Sequence, residues 1–520
     1  MGQNICKAQA FKKEREFYYK DISNELDDNS AKEKVKLSIS ILKPGSFVQY
    51  KVKFLMYQDK GRTNEVEIGT TEELSSTSGT TITFQKFFVM EYYFEKEQPI
   101  AFTIYINNKP TKVDCALGNI MGARGQKYQT NFDNSTLEIS GKSLESNGDF
   151  RGAFEVDIEN LPPNGFYGYV LKNLGTQSNP SNSPIYKSEV LTGTNVVFEK
   201  VDIPLMYISA AGKNYSESMI NIEIIDFKHG KKLGDLTTNI AAFISTTKTI
   251  TLTHGKASIK CKIQKKHTFL DFLRGGMQMS LIIGIDFTAS NKPPNDPESL
   301  HNITTQKLNA YEIAIKSCGE IVAFYDYDQM FPVYGYGAIV PGETSVNHCF
   351  HVNGLPDPNV NTIDGVLQAY RNILPHVKLH GPTYFAPIIN ALNREARESV
   401  NQGNVYQYYV LMILTDGQIN DMDATVDALV EASYLPISVI IVGIGFADFS
   451  NMDVLDADDN PLFDSNQRKA ARDLVQFVPF YKFQNNGELL AQQVLEEVPK
   501  QVCEYYEQNK IVPGDPIINI

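Results

Sequence analysis

From residue 35 to about residue 145 the chain alternates short apolar stretches with turn-rich ones: VKLSISIL, FVQYKVKFLMY, TITFQKFFVMEYYF and IAFTIYI, spaced by Thr/Ser/Gly-rich filler. Short β-type runs separated at this spacing predict an antiparallel sandwich. A second set runs from Gly148 to about Lys265, with DFRGAFEVDI, GFYGYVLKN, NVVFEKVDI, MINIEIIDF and ITLTHGKASIKCKI, and predicts another. Beyond His267 the pattern changes. Fully apolar runs, the sign of strands covered on both faces, now alternate with stretches of helical period. The strands are Leu281–Ile285, Phe331–Ile339, His348–Val352, Tyr408–Leu414, Ile437–Ile444 and Leu474–Phe480. The helices are Gln306–Cys318, Ile363–Leu374, Ala386–Val400, Thr425–Ser433 and a closing Glu488–Tyr506. Alternation of this kind predicts a parallel, doubly wound α/β sheet. The chain thus reads as a segment 1–33, a β-sandwich 34–146, a second 147–266, an α/β domain 267–510 and a tail 511–520.

The stretch Met279–Ser290, MSLIIGIDFTAS, carries the first candidate chemistry. A buried strand leads straight into Asp286, Thr288 and Ser290, whose oxygens can turn toward one point at an end expected to be wet. Carboxylate and hydroxyl oxygens are hard ligands suited to Mg²⁺ or Mn²⁺. Alone, an Asp followed by Thr and Ser is more often a helix cap or a turn. Two later stretches shift the balance: Tyr408–Leu414 ends in Thr415-Asp416-Gly417, and Gly381-Pro382-Thr383 opens a helix. Ligands of open parallel sheets bind beyond the carboxyl ends of the strands, where strand order reverses. Asp286, Thr383 and Asp416 can all reach such a crevice.

Asp286-Phe287-Thr288-Ala289-Ser290, Thr383 and Asp416 resemble the metal-ion-dependent adhesion site (MIDAS) of von Willebrand A domains, whose pattern is Asp-x-(Ser/Thr)-x-Ser, then Thr, then Asp. More narrowly, HTFLDFLRGGMQMSLIIGIDFTASN (267–291), MFPVYGYGA (330–338), GPTYFAPII (381–389), ILTDGQINDM (413–422), LPISVIIVGIGFADFSNMDVLDADD (435–459) and LVQFVPF (474–480) are similar to copines. That resemblance implies two C2-type β-sandwiches followed by a von Willebrand A-type domain with a Rossmann-like sheet. It also implies calcium-dependent phospholipid binding, and a metal-binding A domain that recruits protein partners as a signalling adaptor.

Composition narrows the partners. A hydrophobic fraction of 42% and a charged fraction of 21% are those of a globular protein. The net charge of −13, with no local basic patch, argues against nucleic acid. Cys6, Cys115, Cys261, Cys318, Cys349 and Cys503 are scattered, which suits reduced thiols in a cytoplasmic protein. The longest uncharged apolar run, Pro436–Ala447, is too short to span a bilayer. Met-Gly-Gln-Asn-Ile-Cys-Lys at the N-terminus resembles a myristoylation signal on Gly2, with Cys6 replacing the usual Ser or Thr. One acyl chain binds membranes only marginally, so palmitoylated Cys6 and the basic Lys7, Lys12, Lys13, Arg15 and Lys20 would supply the second signal. The expected location is cytoplasmic and peripheral to membrane, on an anionic inner leaflet.

Calcium is where this chain departs from the family. A Ca²⁺-binding C2 cup needs roughly six to eight oxygens, most of them anionic. The first sandwich offers Leu42-Lys43-Pro44-Gly45-Ser46-Phe47 and Ile106-Asn107-Asn108-Lys109, with no aspartate in either loop. The second offers Pro162-Pro163-Asn164-Gly165-Phe166, and keeps Asp226 but has Lys228 where a further aspartate is expected. Both cups therefore read as degraded, and Ca²⁺ binding there is doubtful. At the A-type site a Mg²⁺ or Mn²⁺ held by Asp286, Thr288, Ser290, Thr383 and Asp416 keeps an open position for a partner's acidic residue, so the expected role is recognition and not catalysis. Asp286→Ala is expected to weaken partner binding with little effect on folding. The alternatives are a metal-independent scaffold or, in a rival class, a Mg²⁺-dependent hydrolase. For the latter no positioned base is evident: His348, Cys349 and His351 read as strand residues, Ser140-Gly141-Lys142-Ser143 lacks the first glycine of a phosphate loop, and Gly335-x-Gly337 and Gly443-x-Gly445 lack the rest of a dinucleotide motif.

Overall fold

The computed structural model describes residues 32–514 except 60, 77–79, 144–149, 177–179, 205–218, 240–241, 243–246, 266, 305–306, 457–460 and 484–485. Gly2 and Cys6, the expected acylation sites, lie outside the described residues. The described chain comprises two all-β C2-type sandwiches followed by an α/β A-type domain. It falls into two compact units, one holding the second sandwich within Glu145–Thr268, the other holding the first sandwich within Asn29–Leu144 and the α/β domain within Phe269–Ile520.

Each sandwich is built by period-two patterning. In the first, strand Lys32–Leu42 places Val35, Leu37, Ile39 and Ile41 on one wholly buried face and pairs antiparallel with Ser135–Ser143. The facing sheet, around Val48–Tyr57 and Pro99–Ile106, contributes Phe54 and Phe102, whose rings stack at 4.9 Å. Ser140-Gly141-Lys142-Ser143 is simply strand, not a phosphate loop. In the second sandwich Phe150–Glu159 pairs with Lys256–Lys265, and Tyr167–Gly175 with Met219–Asp226. The single stretch ITLTHGKASIKCKI is in fact a hairpin, Lys248–Thr251 with Lys256–Lys265. Its turn needs Gly255 (φ +87°), where a Cβ would stand 2.1 Å from the Glu159 carbonyl oxygen.

The first sandwich packs on the α/β domain within their shared unit. Phe94 meets Phe269 at 4.9 Å and Tyr325 at 4.8 Å, and the Tyr92 and Tyr325 hydroxyls are hydrogen-bonded. Gly118 is required there, since a Cβ would come 2.5 Å from the Phe324 ring.

In the α/β domain we label β1 (Gln278–Asp286), α1 (Ala310–Val322), β2 (Met330–Tyr336), α2 (Ile363–Ile373), α3 (Ala386–Asn401), β3 (Gln407–Thr415), α4 (Met422–Ala432), β4 (Ile437–Gly443), β5 (Val475–Pro479), α5 (Gly487–Leu495) and α6 (Val498–Gln508). The five strands are parallel in the order β2-β1-β3-β4-β5, with short antiparallel pieces Phe350–His351 and Asn359–Asn361 beside β2. Three helices depart clearly from the sequence reading: α4 starts three residues early, at Met422, and two others differ for a visible reason. α1 starts four residues late because Asn309 and Glu312 form a reciprocal capping box, Asn309 Oδ1 accepting from Glu312 N at 3.0 Å and Glu312 Oε2 from Asn309 N at 2.9 Å. The closing helix is two helices, since Pro499 near the start of α6 has no N–H to continue the ladder from α5.

Candidate metal centre

Strand order turns from β2-β1 to β1-β3 at the carboxyl ends of β1 and β3, a topological switch point. Asp286 closes β1 and Asp416 follows β3, because each apolar run stops where its strand leaves the core. The two carboxylates therefore enter one crevice. Asp286 Oδ1 accepts from Thr288 N at 2.8 Å and from Thr288 Oγ1 at 2.6 Å. Asp286 Oδ2 accepts from Thr415 Oγ1 at 3.0 Å and Asp416 N at 3.4 Å. Ser290 Oγ donates to Asp416 Oδ1 at 2.9 Å and lies 2.9 Å from Thr288 Oγ1, which is 3.4 Å from Asp416 Oδ1.

Asp286, Thr288, Ser290 and Asp416 thus converge directly. Thr383 is held differently: its N–H donates to Asn420 Oδ1 at 2.9 Å and its carbonyl accepts from Asn420 N at 2.9 Å, while its hydroxyl takes no part in the cluster. Asp421, the next residue, accepts from Phe385 N at 3.1 Å and Ala386 N at 3.0 Å, capping α3. The loops after β3 and before α3 are thereby laced together, which sets where Thr383 stands.

The strand end is not wet as expected. Asp286 is wholly buried, Thr288 is 3% exposed and Asp416 7%. The loop Phe287–Asn291 folds back over the carboxylate, with Ala289 N donating to the His380 carbonyl at 2.8 Å. Its close approach to β2 depends on Gly337 (φ +80°), where a Cβ would stand 2.4 Å from Thr288 Cγ2. The glycines of Gly335-x-Gly337 thus serve packing, not a dinucleotide.

Burial pushes both carboxyls up, Asp416 to about 7 with a further push from the Asp286 charge. Two buried carboxylates with convergent hydroxyls and no cationic side chain among their hydrogen-bond partners are a donor set that a hard divalent cation fits. No three His, Cys, Asp or Glu side chains gather into a metal-holding group among the described residues, so any ion here leans on hydroxyls and water as well as carboxylates.

Sequence reasoning missed Thr415, Asn291, Asn420 and Asp421. Thr415 is the polar residue ending an apolar run. Asn291 directly extends the Asp286–Ser290 motif and accepts from the Tyr311 hydroxyl at 2.7 Å, which fastens the loop to α1. His348 packs on Tyr384 at 4.5 Å and His351 Nδ1 donates to the Leu355 carbonyl at 2.7 Å, so neither joins Cys349 in a ligand set.

In the second sandwich Asp226 is already engaged. Its carboxylate accepts from Phe166 N at 3.3 Å, Lys228 N at 3.0 Å and His229 Nδ1 at 2.6 Å. Lys228 Nζ donates to the Asn164 carbonyl at 2.7 Å, joining the two loops that would form a calcium cup.

A doubly wound domain with this oxygen cluster, preceded by two sandwiches, defines the class: a C2-type and A-type multidomain protein. Within it, residues 299–514, in the A-type region, match the copine family. The match includes Thr383 and Asp416 and begins just past the Asp286–Ser290 loop. Among solved structures the chain is similar to the calcium-bound tandem C2 domains of Extended-Synaptotagmin 2, at 9% identity over 45% of this chain and 98% of that one, TM-score 0.19. It is similar also to BON1-C2B, at 15% identity over 24% and 99%, TM-score 0.19, and to the manganese-loaded TRAP protein of Plasmodium vivax, at 13% over 40% and 70%, TM-score 0.23. Likenesses this distant carry no weight for function. No helix among the described residues is long and apolar enough to cross a membrane.

Proposed function

We propose that this protein is a copine-like peripheral membrane adaptor: its sandwiches and an acylated N-terminus hold it at phospholipid, and its A-type domain binds partner proteins through a divalent cation. The observation that carries the reading is the meeting of Asp286, Thr288, Ser290 and Asp416 from two separate segments at the switch point. Mg²⁺ or Mn²⁺ held there by two carboxylates and neutral oxygens retains electrophilic character and accepts a further oxygen ligand, such as a partner's carboxylate. Thr383 stands by through its loop for a ligand role directly or by way of water. The membrane arm leans less on Ca²⁺ than the family pattern implies, because Lys228 already spans the loops of the second cup.

The test is titration of the full chain with Mn²⁺ by calorimetry, beside Asp416→Ala. One site in the wild type, lost in the variant and competed by Mg²⁺, supports the reading. Equal binding by both proteins, or none by the wild type, sinks it.

A further inference from the structure

At the same edge of the sheet, the loops after β4 and β5 carry two uncovered rings. Phe446 is 82% exposed and Tyr481 43% exposed, with ring centroids 5.9 Å apart. A phenylalanine left in water forgoes the free energy of burying its ring. The Phe446 loop is fastened to the loop after β3 and lies beside the chain that follows Asn291. Ile444 N donates to the Thr415 carbonyl at 2.7 Å, and Gln418 Nε2 donates to Asp448 Oδ2 at 3.3 Å. On the other side Leu300, whose N–H donates to the Asn291 carbonyl at 3.0 Å, packs 3.3 Å from where a Cβ on Gly445 would stand. The loop that carries Phe446 therefore adjoins the residues on either side of Asp416.

We propose that Phe446 and Tyr481 are the apolar half of a two-point docking surface, whose occupant is an extended protein segment bearing a carboxylate and a large apolar side chain. The inference rests on the metal reading above and deepens it. Neighbouring strands lie about 4.8 Å apart, so a ledge one to two strands beyond β3 is roughly 10 Å from the crevice. An extended chain covers that distance in about three residues, which sets the spacing between acid and apolar side chain. Charge argues the same way. A net charge of −13 gives an acidic segment no general attraction to the protein, so a carboxylate contact at the cation gains from an apolar anchor beside it.

Short fluorescent peptides with one Asp and one Phe at varied spacing, and controls with Ser for Phe, test this by anisotropy on the full chain in Mg²⁺. Binding reversed by EDTA, best at a spacing of about three and about tenfold weaker or more for the Ser controls, is expected from the burial of one ring. The double variant Phe446→Ser, Tyr481→Ser keeps wild-type Mn²⁺ binding and binds the Phe peptides no better than the Ser ones. Mg²⁺-dependent binding that ignores the peptide's Phe, or is unchanged in the double variant, overturns the ledge and leaves the metal reading standing. No Mg²⁺-dependent binding by any peptide overturns both. A double variant that instead loses liposome binding, or self-association in sedimentation, assigns the rings to membrane or to a second copy and overturns the proposal.

Discussion

Ser290 Oγ donates to Asp416 Oδ1 at 2.9 Å across 126 positions of sequence. The bond joins the loop after β1 to the residue after β3, and the parallel pairing of Ile285 with Leu414 is what brings the two ends level. A register slip would carry one carboxylate away from the other, so sheet pairing and site assembly are one event.

Bound cation should stabilise the A-type domain. Binding to the native state alone adds about 2.7 kcal/mol at a free concentration near 100 times Kd. Thermal unfolding should therefore shift upward with Mg²⁺ or Mn²⁺ in the wild type and stay put in Asp416→Ala.

Asp286→Ala should cost more than binding. The buried carboxylate satisfies Thr288 N, Thr288 Oγ1 and Thr415 Oγ1, and its removal leaves buried donors unpaired at about 1–3 kcal/mol. Denaturant unfolding should show a lowered midpoint, which revises the expectation that folding would be nearly unaffected.

Asp421→Ala removes the cap of α3 and should lower stability by about 0.5–2 kcal/mol. Because the same segment holds Thr383 through Asn420, Mn²⁺ affinity should fall as well, whereas Asp421→Asn, with one acceptor oxygen where the carboxylate uses two, should restore only part of both.

Asp326 gives a pH signature. It is 5% exposed, and burial, with the neighbouring Asp328, pushes its carboxyl up to about 7 against about 3.9 in an unfolded chain. The native state then holds the extra proton between these values, so its contribution is full below about pH 4, falls as pH rises to about 7 and is level above. Asp326→Asn should match the wild type in denaturant midpoint at the acid end and exceed it at pH about 8.

Unacylated protein should sediment with anionic liposomes to the same extent with and without Ca²⁺, because Asp226 is already engaged by Phe166, Lys228 and His229 and Lys228 holds the two loops together. A strong calcium response would show that Lys228 swings out of the cup.

Periodicity alone determined the architecture: alternation in Lys32–Leu42 and unbroken apolar runs in β1, β3 and β4 state which faces are buried, a local property of side-chain order. The motif Asp286-x-Thr288-x-Ser290 was likewise legible, since three of the oxygens lie within five residues. Tertiary structure decided what depends on distant segments. It brought Asp416 to that motif, left the Thr383 hydroxyl outside the hydrogen-bond cluster, buried a strand end that looked wet, and recruited Thr415, Asn420 and Asp421 to hold it. It also packed Phe94 and Tyr92 of the first sandwich on Tyr325, while Phe446 and Tyr481 stayed uncovered. Burial is a sum over neighbours from the whole chain, and no local pattern carries that sum.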